Sequence, residues 1–228
     1  MSTIDRSKTA MPPLAAGQHM RRAEFHARYE AMAPGTRAEL IDAVVYMPSP
    51  VGRRHGTTSA RVVMWLGLYC CQTSGVEVAD NTTTALDDLG EPQPDALLRI
   101  TPEYGGRTHD AGNIIGGGPE LVVEVAETSR NVDLGPKLSD YDRAGVLEYL
   151  VVASDPDEVI WHARRVDRLT RVPPDSDGLY RSITFPGLWL DPRALLANDG
   201  PALVAALEQG LVSADHAAFV ARLAATRG

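Results

Sequence analysis

The sequence predicts a mixed α/β domain, in which a β-sheet is flanked by helices and followed by a helical C-terminal tail. The first observation is a strand–helix–strand succession at residues 121–125, 133–144 and 148–153. Such a succession is a βαβ unit, whose strands lie parallel and whose crossover is right-handed. The second is a series of β-prone segments separated by turn residues, at 159–163, 166–172 and 180–185. These segments indicate antiparallel strands, so the sheet is mixed.

The segments before the βαβ unit supply the other elements in order. Residues 39–47 are β-prone on both sides of Asp42-Ala43, and Pro48 and Pro50 stop the run, which predicts a hairpin. Residues 57–72 carry apolar side chains at helical spacing, which predicts a helix against the sheet. Further short strands are expected at 76–79, 82–86 and 94–100. The glycine-rich residues 102–119 are expected to form a mobile surface loop.

Length and composition predict one main core with additions at both ends. The chain has 228 residues, of which 44% are hydrophobic and 23% charged, as in ordinary globular domains. Residues 1–22 lack a periodic apolar face and are expected to form a flexible arm. The main domain is predicted at residues 23–191. Residues 192–228, rich in alanine and leucine, are predicted to form two or three short helices as a C-terminal extension.

Charge and motif content exclude several classes of protein. The net charge of −8 argues against a dedicated nucleic-acid coat protein, although carboxylates that bind a divalent cation are compatible with a nuclease. No apolar run approaches the roughly 18 residues of a membrane span, and a cytoplasmic protein without a membrane partner is expected. Adjacent Cys70 and Cys71 exclude a disulfide scaffold and a cysteine zinc site. The starting motifs of zinc, serine and P-loop hydrolases and of dinucleotide-binding folds are absent.

Glu124 is the most informative single residue, because it lies within the apolar strand Leu121-Val-Val-Glu-Val-Ala126. A carboxylate buried in this way is protonated, paired with a cation or bound to a metal. A structural ion pair is therefore an alternative to a functional role. Glu120 and Glu127 lie at the ends of the strand and are expected to be exposed to solvent.

Asp95 and Lys137 are candidate partners for Glu124. Asp95 lies at the entrance of another short strand, so the two carboxylates can converge on one divalent cation if the strands are neighbours. Lys137 lies in the first turn of the helix that follows. The alternatives are a turn aspartate and a solvated surface lysine. Two acids and a lysine around a metal meet the needs of phosphodiester hydrolysis.

The order of these motifs resembles the bacterial Uma2 family, a branch of the PD-(D/E)XK nuclease superfamily described as restriction endonucleases. The resemblance covers residues 24–191. It implies a restriction-endonuclease-like core and a site that uses Mg²⁺, with Mn²⁺ as an alternative. The motifs that carry it are Glu39-Leu-Ile-Asp42, Met47-Pro-Ser-Pro50, Arg54-His55-Gly56, Pro94-Asp95, Leu121-Val-Val-Glu-Val125, Asp133-Leu-Gly-Pro-Lys137, Tyr141, Gly145 and Glu148-Tyr149.

The resemblance assigns roles to five residues of this chain. Asp95 and Glu124 match the metal ligands. Lys137 takes the place of the lysine expected two residues after Glu124, where this sequence has Ala126. Glu39 matches a further carboxylate of the cleft. His55 matches a contact to phosphate or water, and a helix cap or a surface histidine is its alternative.

The function predicted from these residues is a metal-dependent endodeoxyribonuclease that hydrolyses phosphodiester bonds with an Asp/Glu/Lys site. DNA is the expected substrate, and cleavage of both strands favours a homodimer. The alternative is a nuclease-fold module without catalysis that binds nucleic acid or a partner protein.

Overall fold

The computed structural model describes residues 11–227. The strands in chain order are β1 (Glu39–Ile41), β2 (Val44–Tyr46), β3 (Val76–Asp80), β4 (Thr84–Ala85), β5 (Ala96–Ile100), β6 (His109–Ala111), β7 (Ile114–Gly116), β8 (Leu121–Ala126), β9 (Glu148–Ala153), β10 (Glu158–Arg165), β11 (Arg168–Val172), β12 (Tyr180–Arg181) and β13 (Trp189–Leu190). The helices are α1 (Arg22–Glu30), α2 (Arg53–Gln72), α3 (Arg130–Val132), α4 (Leu138–Arg143), α5 (Pro192–Ala197), α6 (Gly200–Leu211) and α7 (Ala214–Thr226).

A six-stranded mixed sheet is the centre of the fold, with the strand order β11-β10-β9-β8-β5-β3. Strands β8 and β9 are parallel, and Glu124 lies opposite Val151. The other pairs in this sheet are antiparallel, including β5 with β8, where Ala96 lies opposite Val123. The predicted βαβ unit, the mixed sheet and the early hairpin of β1 and β2 are confirmed.

Strand β8 is buried along its whole length because both faces of the sheet are covered. Val123 faces the core under α2, where Trp65 lies edge-on to Trp161 at 6.3 Å between ring centroids. Val122 faces the opposite core, which is formed with α4 and includes Tyr141. The alternation of side chains places Glu124 on the α4 side with Val122.

The crossover helix between β8 and β9 contains one widened turn. Helix α3 leads into a π-helical turn at Asp133–Lys137, and α4 continues from it. Pro136 lies within this turn and has no N–H to donate, so a regular α-helical bond is lost there. The helical segment begins at Arg130, three residues before the predicted start at residue 133.

Helix α2 is held by the C-terminal part of the chain. The Trp65 indole donates to the Trp189 carbonyl and the Tyr69 hydroxyl donates to the Pro186 carbonyl, each at 2.9 Å. Thr73 Oγ1 lies 2.9 Å from Nε2 of His216 on α7. The predicted C-terminal helices share the hydrophobic core of α2 through Leu203, Leu207, Phe219 and Leu223. The division of the chain at residue 191 stays a prediction, and one core spans it.

Residues 102–119 contain a 3₁₀ turn at Pro102–Tyr104 and two strands of a small three-stranded sheet, so the expectation of a mobile loop is wrong. Strands β6 and β7 make a hairpin, and β7 pairs in parallel with β4. The segment bonds partly within itself, through the β6–β7 hairpin, and partly to residues 83–85 around β4.

The N-terminal segment packs against the domain wherever the structure describes it. Leu14 and Met20 are buried, and Gly17 N donates to the Val45 carbonyl at 2.8 Å. A flexible arm is therefore the wrong description for residues 11–21. Residues 1–10 of the expected arm lie outside the described residues. Within residues 11–227, no helix has the length and apolar character needed to cross a membrane.

Candidate active site

A cleft of about 630 Å³ lies where β8 ends and where β5 and α2 begin. Every residue singled out from the sequence as a site candidate lines this cleft, although these residues come from five separate segments of the chain. They are Glu39, His55, Asp95, Glu124 and Lys137.

Glu124 is 3% exposed, and one of its two oxygens carries the hydrogen bonds. Its Oε1 accepts from Lys137 Nζ at 2.9 Å and from the Tyr141 hydroxyl at 2.7 Å. No hydrogen bond to Oε2 occurs within residues 11–227, so this oxygen can bind a ligand. Burial raises the pKa of Glu124 well above its usual range, and the neighbouring Lys137 opposes that shift.

Asp95 lies beside Glu124 on the neighbouring strand. It precedes Ala96, which pairs with Val123, so the antiparallel register places Asp95 opposite Glu124. Its Oδ2 accepts from the backbone N–H of Val125 at 2.7 Å, and its Oδ1 is 3.2 Å from His55 Nε2. The hydrogen bond to Asp95 raises the pKa of His55, although partial burial of the imidazole acts against it.

Lys137 is 6% exposed and surrounded by carboxylates, so the alternative of a solvated surface lysine is wrong. Its Nζ lies 2.9 Å from Glu124, 3.1 Å from Glu39 and 3.8 Å from Asp133. Burial alone lowers the pKa of this ammonium. The three carboxylates outweigh burial and raise the pKa well above its usual range. Lys137 therefore carries its charge inside the protein.

The β1–β2 hairpin brings Glu39 to Lys137. Glu39 Oε1 also accepts from the backbone N–H of Gln93 at 2.7 Å, which fixes the carboxylate. The hairpin turn is tied to α4, because Asp42 N donates to Asp140 Oδ2 at 2.7 Å. Asp42 and Ala43 both adopt a positive φ, a conformation that this tie supports.

Sequence reasoning gave no role to two carboxylates of the cleft, Asp133 and Glu127, or to Tyr141, which donates to Glu124 from the core, and it misplaced Glu120. Asp133 and Tyr141 lie four positions before and after Lys137, a spacing that places side chains on one helix face and could have identified them. Glu127 Oε2 accepts from the backbone N–H of His55 at 3.3 Å and so lies at the start of α2. Glu120, expected to be exposed, is 1% exposed, because it accepts from the N–H groups of Ile100 and Arg107.

The carboxylate oxygens of the cleft are ligands of the kind that Mg²⁺ binds. Among residues 11–227, no three His, Cys, Asp or Glu side chains are gathered into a metal cage. Asp95 and Glu124 supply two carboxylates that lie side by side on neighbouring strands. Mg²⁺ is usually bound by one or two carboxylates, with waters and substrate phosphates as its other ligands. The arrangement therefore fits Mg²⁺ and does not fit a closed zinc site.

The mixed sheet with flanking helices is a nuclease fold. The structure is similar to the crystal structure of "a putative nuclease belonging to DUF820" from Anabaena variabilis, with a TM-score of 0.57 and 14% sequence identity. The similarity covers 78% of this chain and 98% of that one, and at this identity it shows the fold alone.

The family assignment comes from the sequence. The model of the Uma2 family, described as "Putative restriction endonuclease", matches residues 22–193. The chain belongs to the Uma2 family, and a nuclease is supported at the level of the family. No curated protein matches the chain.

Proposed function

We propose that this protein is a metal-dependent endodeoxyribonuclease that hydrolyses phosphodiester bonds in the cleft. The observation that carries the proposal is the meeting of Asp95, Glu124 and Lys137, which lie up to 42 positions apart in the sequence. Glu124 Oε2, which has no hydrogen-bond partner among residues 11–227, and the buried ammonium of Lys137 would supply the two chemical functions that the reaction requires.

Asp95 and Glu124 would hold Mg²⁺, or Mn²⁺ in its place. The bound ion would polarise the scissile phosphate and lower the pKa of a water molecule. Lys137 would offset the negative charge that develops on the phosphate, while Glu39 and Asp133 hold its ammonium in place. His55 would contact a phosphate oxygen or the attacking water once it is released from Asp95.

The second candidate is a nuclease-fold module that binds nucleic acid or a partner protein without catalysis. The observation that favours it is that the polar groups of the proposed site already form hydrogen bonds and ion pairs with one another. Both oxygens of Asp95 contact protein donors, and Lys137 is satisfied by carboxylates. Such a module retains DNA and releases no product.

Calorimetric titration with Mn²⁺ separates the two candidates. We expect the parent protein to bind Mn²⁺, and the Asp95→Asn, Glu124→Gln double variant to lose binding. The parent should cut labelled DNA with Mg²⁺ or Mn²⁺, and the double variant should not. DNA binding without any metal-dependent product favours the non-catalytic module.

The cellular setting and the assembly of the protein are further expectations. A nuclease of this type would act on DNA in the cytoplasm. If it cuts both strands of a duplex, a homodimer presents two cleavage sites. Sedimentation equilibrium with and without DNA measures the oligomeric state directly.

A further inference from the structure

An exposed apolar wall borders the cleft beside the proposed catalytic residues. It consists of Met47, Pro48, Pro50 and Val51, all of which line the cleft. Met47 is 37% exposed and Val51 is 56% exposed, and both are among the large hydrophobic side chains that face solvent. Apolar groups next to a phosphodiester site do not contribute to phosphate binding. They suit the bases or sugars of a nucleic acid.

The apolar wall is attached at both ends to elements that carry site residues. It follows β2, which pairs with the strand of Glu39, and it leads into α2 and His55. Pro48 and Pro50 fix the backbone φ of two of its positions. Attachment at both ends and the two prolines restrict the backbone of the wall, which lowers the conformational entropy that is lost when a ligand packs on it.

The charges of the cleft are poorly suited to the backbone of duplex DNA. Duplex binding proteins neutralise many phosphates with lysine and arginine. The cationic side chains that line the cleft, apart from His55, are those of Arg37 and Lys137. Lys137 is engaged by three carboxylates, and Arg37 donates to Asn81 Oδ1 at 3.4 Å. Within the cleft itself, the proposed metal ion is therefore the main contact for phosphate, while Arg53 and Arg54 line a smaller adjoining pocket.

The size of the cleft also favours a single strand over a duplex as the ligand. A volume of about 630 Å³ lies within the roughly 300–1,000 Å³ typical of pockets that enclose a small ligand. Such a cleft suits a nucleotide or two of one strand. A base can enter such a cleft only when it is unpaired, because a base inside a duplex is covered by its partner and its stacked neighbours.

From these features, and on the basis of the proposed nuclease function, we infer that the substrate is single-stranded or locally unpaired DNA. An unpaired base packs on the apolar wall while its phosphate lies at Asp95, Glu124 and Lys137. One chain with one site is then sufficient, because only one strand is cut.

The test compares one labelled DNA sequence in three forms: single-stranded, fully paired and paired with an internal unpaired bubble. With Mn²⁺, we expect kcat/KM for the single strand to exceed that for the duplex by about tenfold or more. The bubble substrate should be cut within the bubble. A Met47→Ser, Val51→Ser double variant should lose about tenfold in kcat/KM on the single strand and keep the Mn²⁺ affinity of the parent.

The matched control is Met64→Ser, Ile183→Ser, which removes two hydrophobic side chains of similar exposure (39% and 54%) that do not line the cleft. It should cut as the parent does. Binding of the same DNA forms is measured by fluorescence anisotropy with Ca²⁺ in place of Mn²⁺, so that strand preference is read without cleavage.

Each outcome bears on one proposal or on both. If the duplex is cut as fast as the single strand, or if the apolar-wall variant is as active as the parent, the strand preference is refuted. The proposed nuclease function is then unaffected. Preferential binding of the single strand without any metal-dependent product overturns the nuclease and supports the strand preference. Absence of both binding and cleavage overturns both.

Discussion

Replacing Glu124 by glutamine should stabilise the protein and abolish cleavage at the same time. Five carboxylates line the cleft, those of Glu39, Asp95, Glu124, Glu127 and Asp133, and the buried ammonium of Lys137 faces three of them. Glu124 is 3% exposed, and burial raises its pKa well above the usual range. Each unit of such a shift corresponds to about 1.4 kcal/mol of differential interaction between the two protonation states.

The size of the expected gain follows from the contacts that glutamine retains. Its Oε1 can still accept from Lys137 and Tyr141, and its amide would occupy the position of Oε2, which has no hydrogen-bond partner within residues 11–227. Lys137 keeps Glu39 at 3.1 Å, with Asp133 at 3.8 Å. We therefore expect the free energy of unfolding to rise by about 1–2 kcal/mol, or Tm by about 2–8 °C.

The stability difference between Glu124→Gln and the parent should depend on pH. A glutamate whose pKa is raised on folding contributes its full stability below the unfolded pKa and loses it as the pH rises through the folded pKa. The advantage of Glu124→Gln should therefore be absent near pH 4 and grow towards alkaline pH. Thermal unfolding is followed by circular dichroism across this range without divalent metal, and cleavage is measured separately with Mn²⁺.

The matched control is Glu120→Gln on the same strand segment. Each oxygen of Glu120 accepts a hydrogen bond from a backbone N–H, that of Ile100 at 3.0 Å and that of Arg107 at 3.1 Å. The NH₂ group of a glutamine would therefore face one of these N–H donors and could not accept from it. This variant should lose about 1–3 kcal/mol. A Tm for Glu124→Gln below that of the parent at alkaline pH would refute the electrostatic reasoning. Retained cleavage would refute the role of Glu124.

Three other substitutions test the network around this carboxylate and the sheet beside it. Lys137→Met should lower the free energy of unfolding by about 3–5 kcal/mol in urea titrations, because it leaves buried carboxylates without their cation. Tyr141→Phe removes one donor to Glu124 and should cost about 0.5–1.5 kcal/mol of stability and weaken Mn²⁺ binding in calorimetry. Burial lowers the pKa of His162, so the stability that its neutral form provides is complete above the unfolded pKa of about 6.5 and is lost as the pH falls towards the folded pKa. His162→Phe should accordingly remove part of the loss of stability between pH 7.5 and 5.5, and equal losses in the variant and the parent would contradict this assignment.

Local patterns predicted the elements that carry the cleft. The apolar run around Glu124 marked a buried strand, and the periodicity of residues 57–72 marked the helix that begins near His55. Such patterns indicate which face of an element is buried. They do not report pairing between distant segments, which is why β4 with β7 was missed and residues 102–119 were taken for a loop.

The partners of Lys137 also show that local sequence patterns do not report contacts between distant segments. The sequence named Glu124 as its partner, since a buried acid needs a cation. The contribution of Glu39 depends on a hairpin nearly 100 positions earlier in the chain, and the widened turn at Pro136 alters the helical register on which a wheel projection relies. Tertiary packing decides the contribution of Glu39, which leaves no local signal. Pro136 is a local signal of an irregular turn, but it does not specify that the turn widens.

The attachment of α2 to the C-terminal helices makes the cleft depend on a part of the chain that supplies none of its candidate residues. His55 lies in the first turn of α2, which packs on the sheet and is also bonded through Trp65, Tyr69 and Thr73 to residues between 186 and 216. A shortened chain that ends before residue 186 would keep all five candidate residues and lose these three bonds. The presence of the five residues is therefore not sufficient for an assembled cleft.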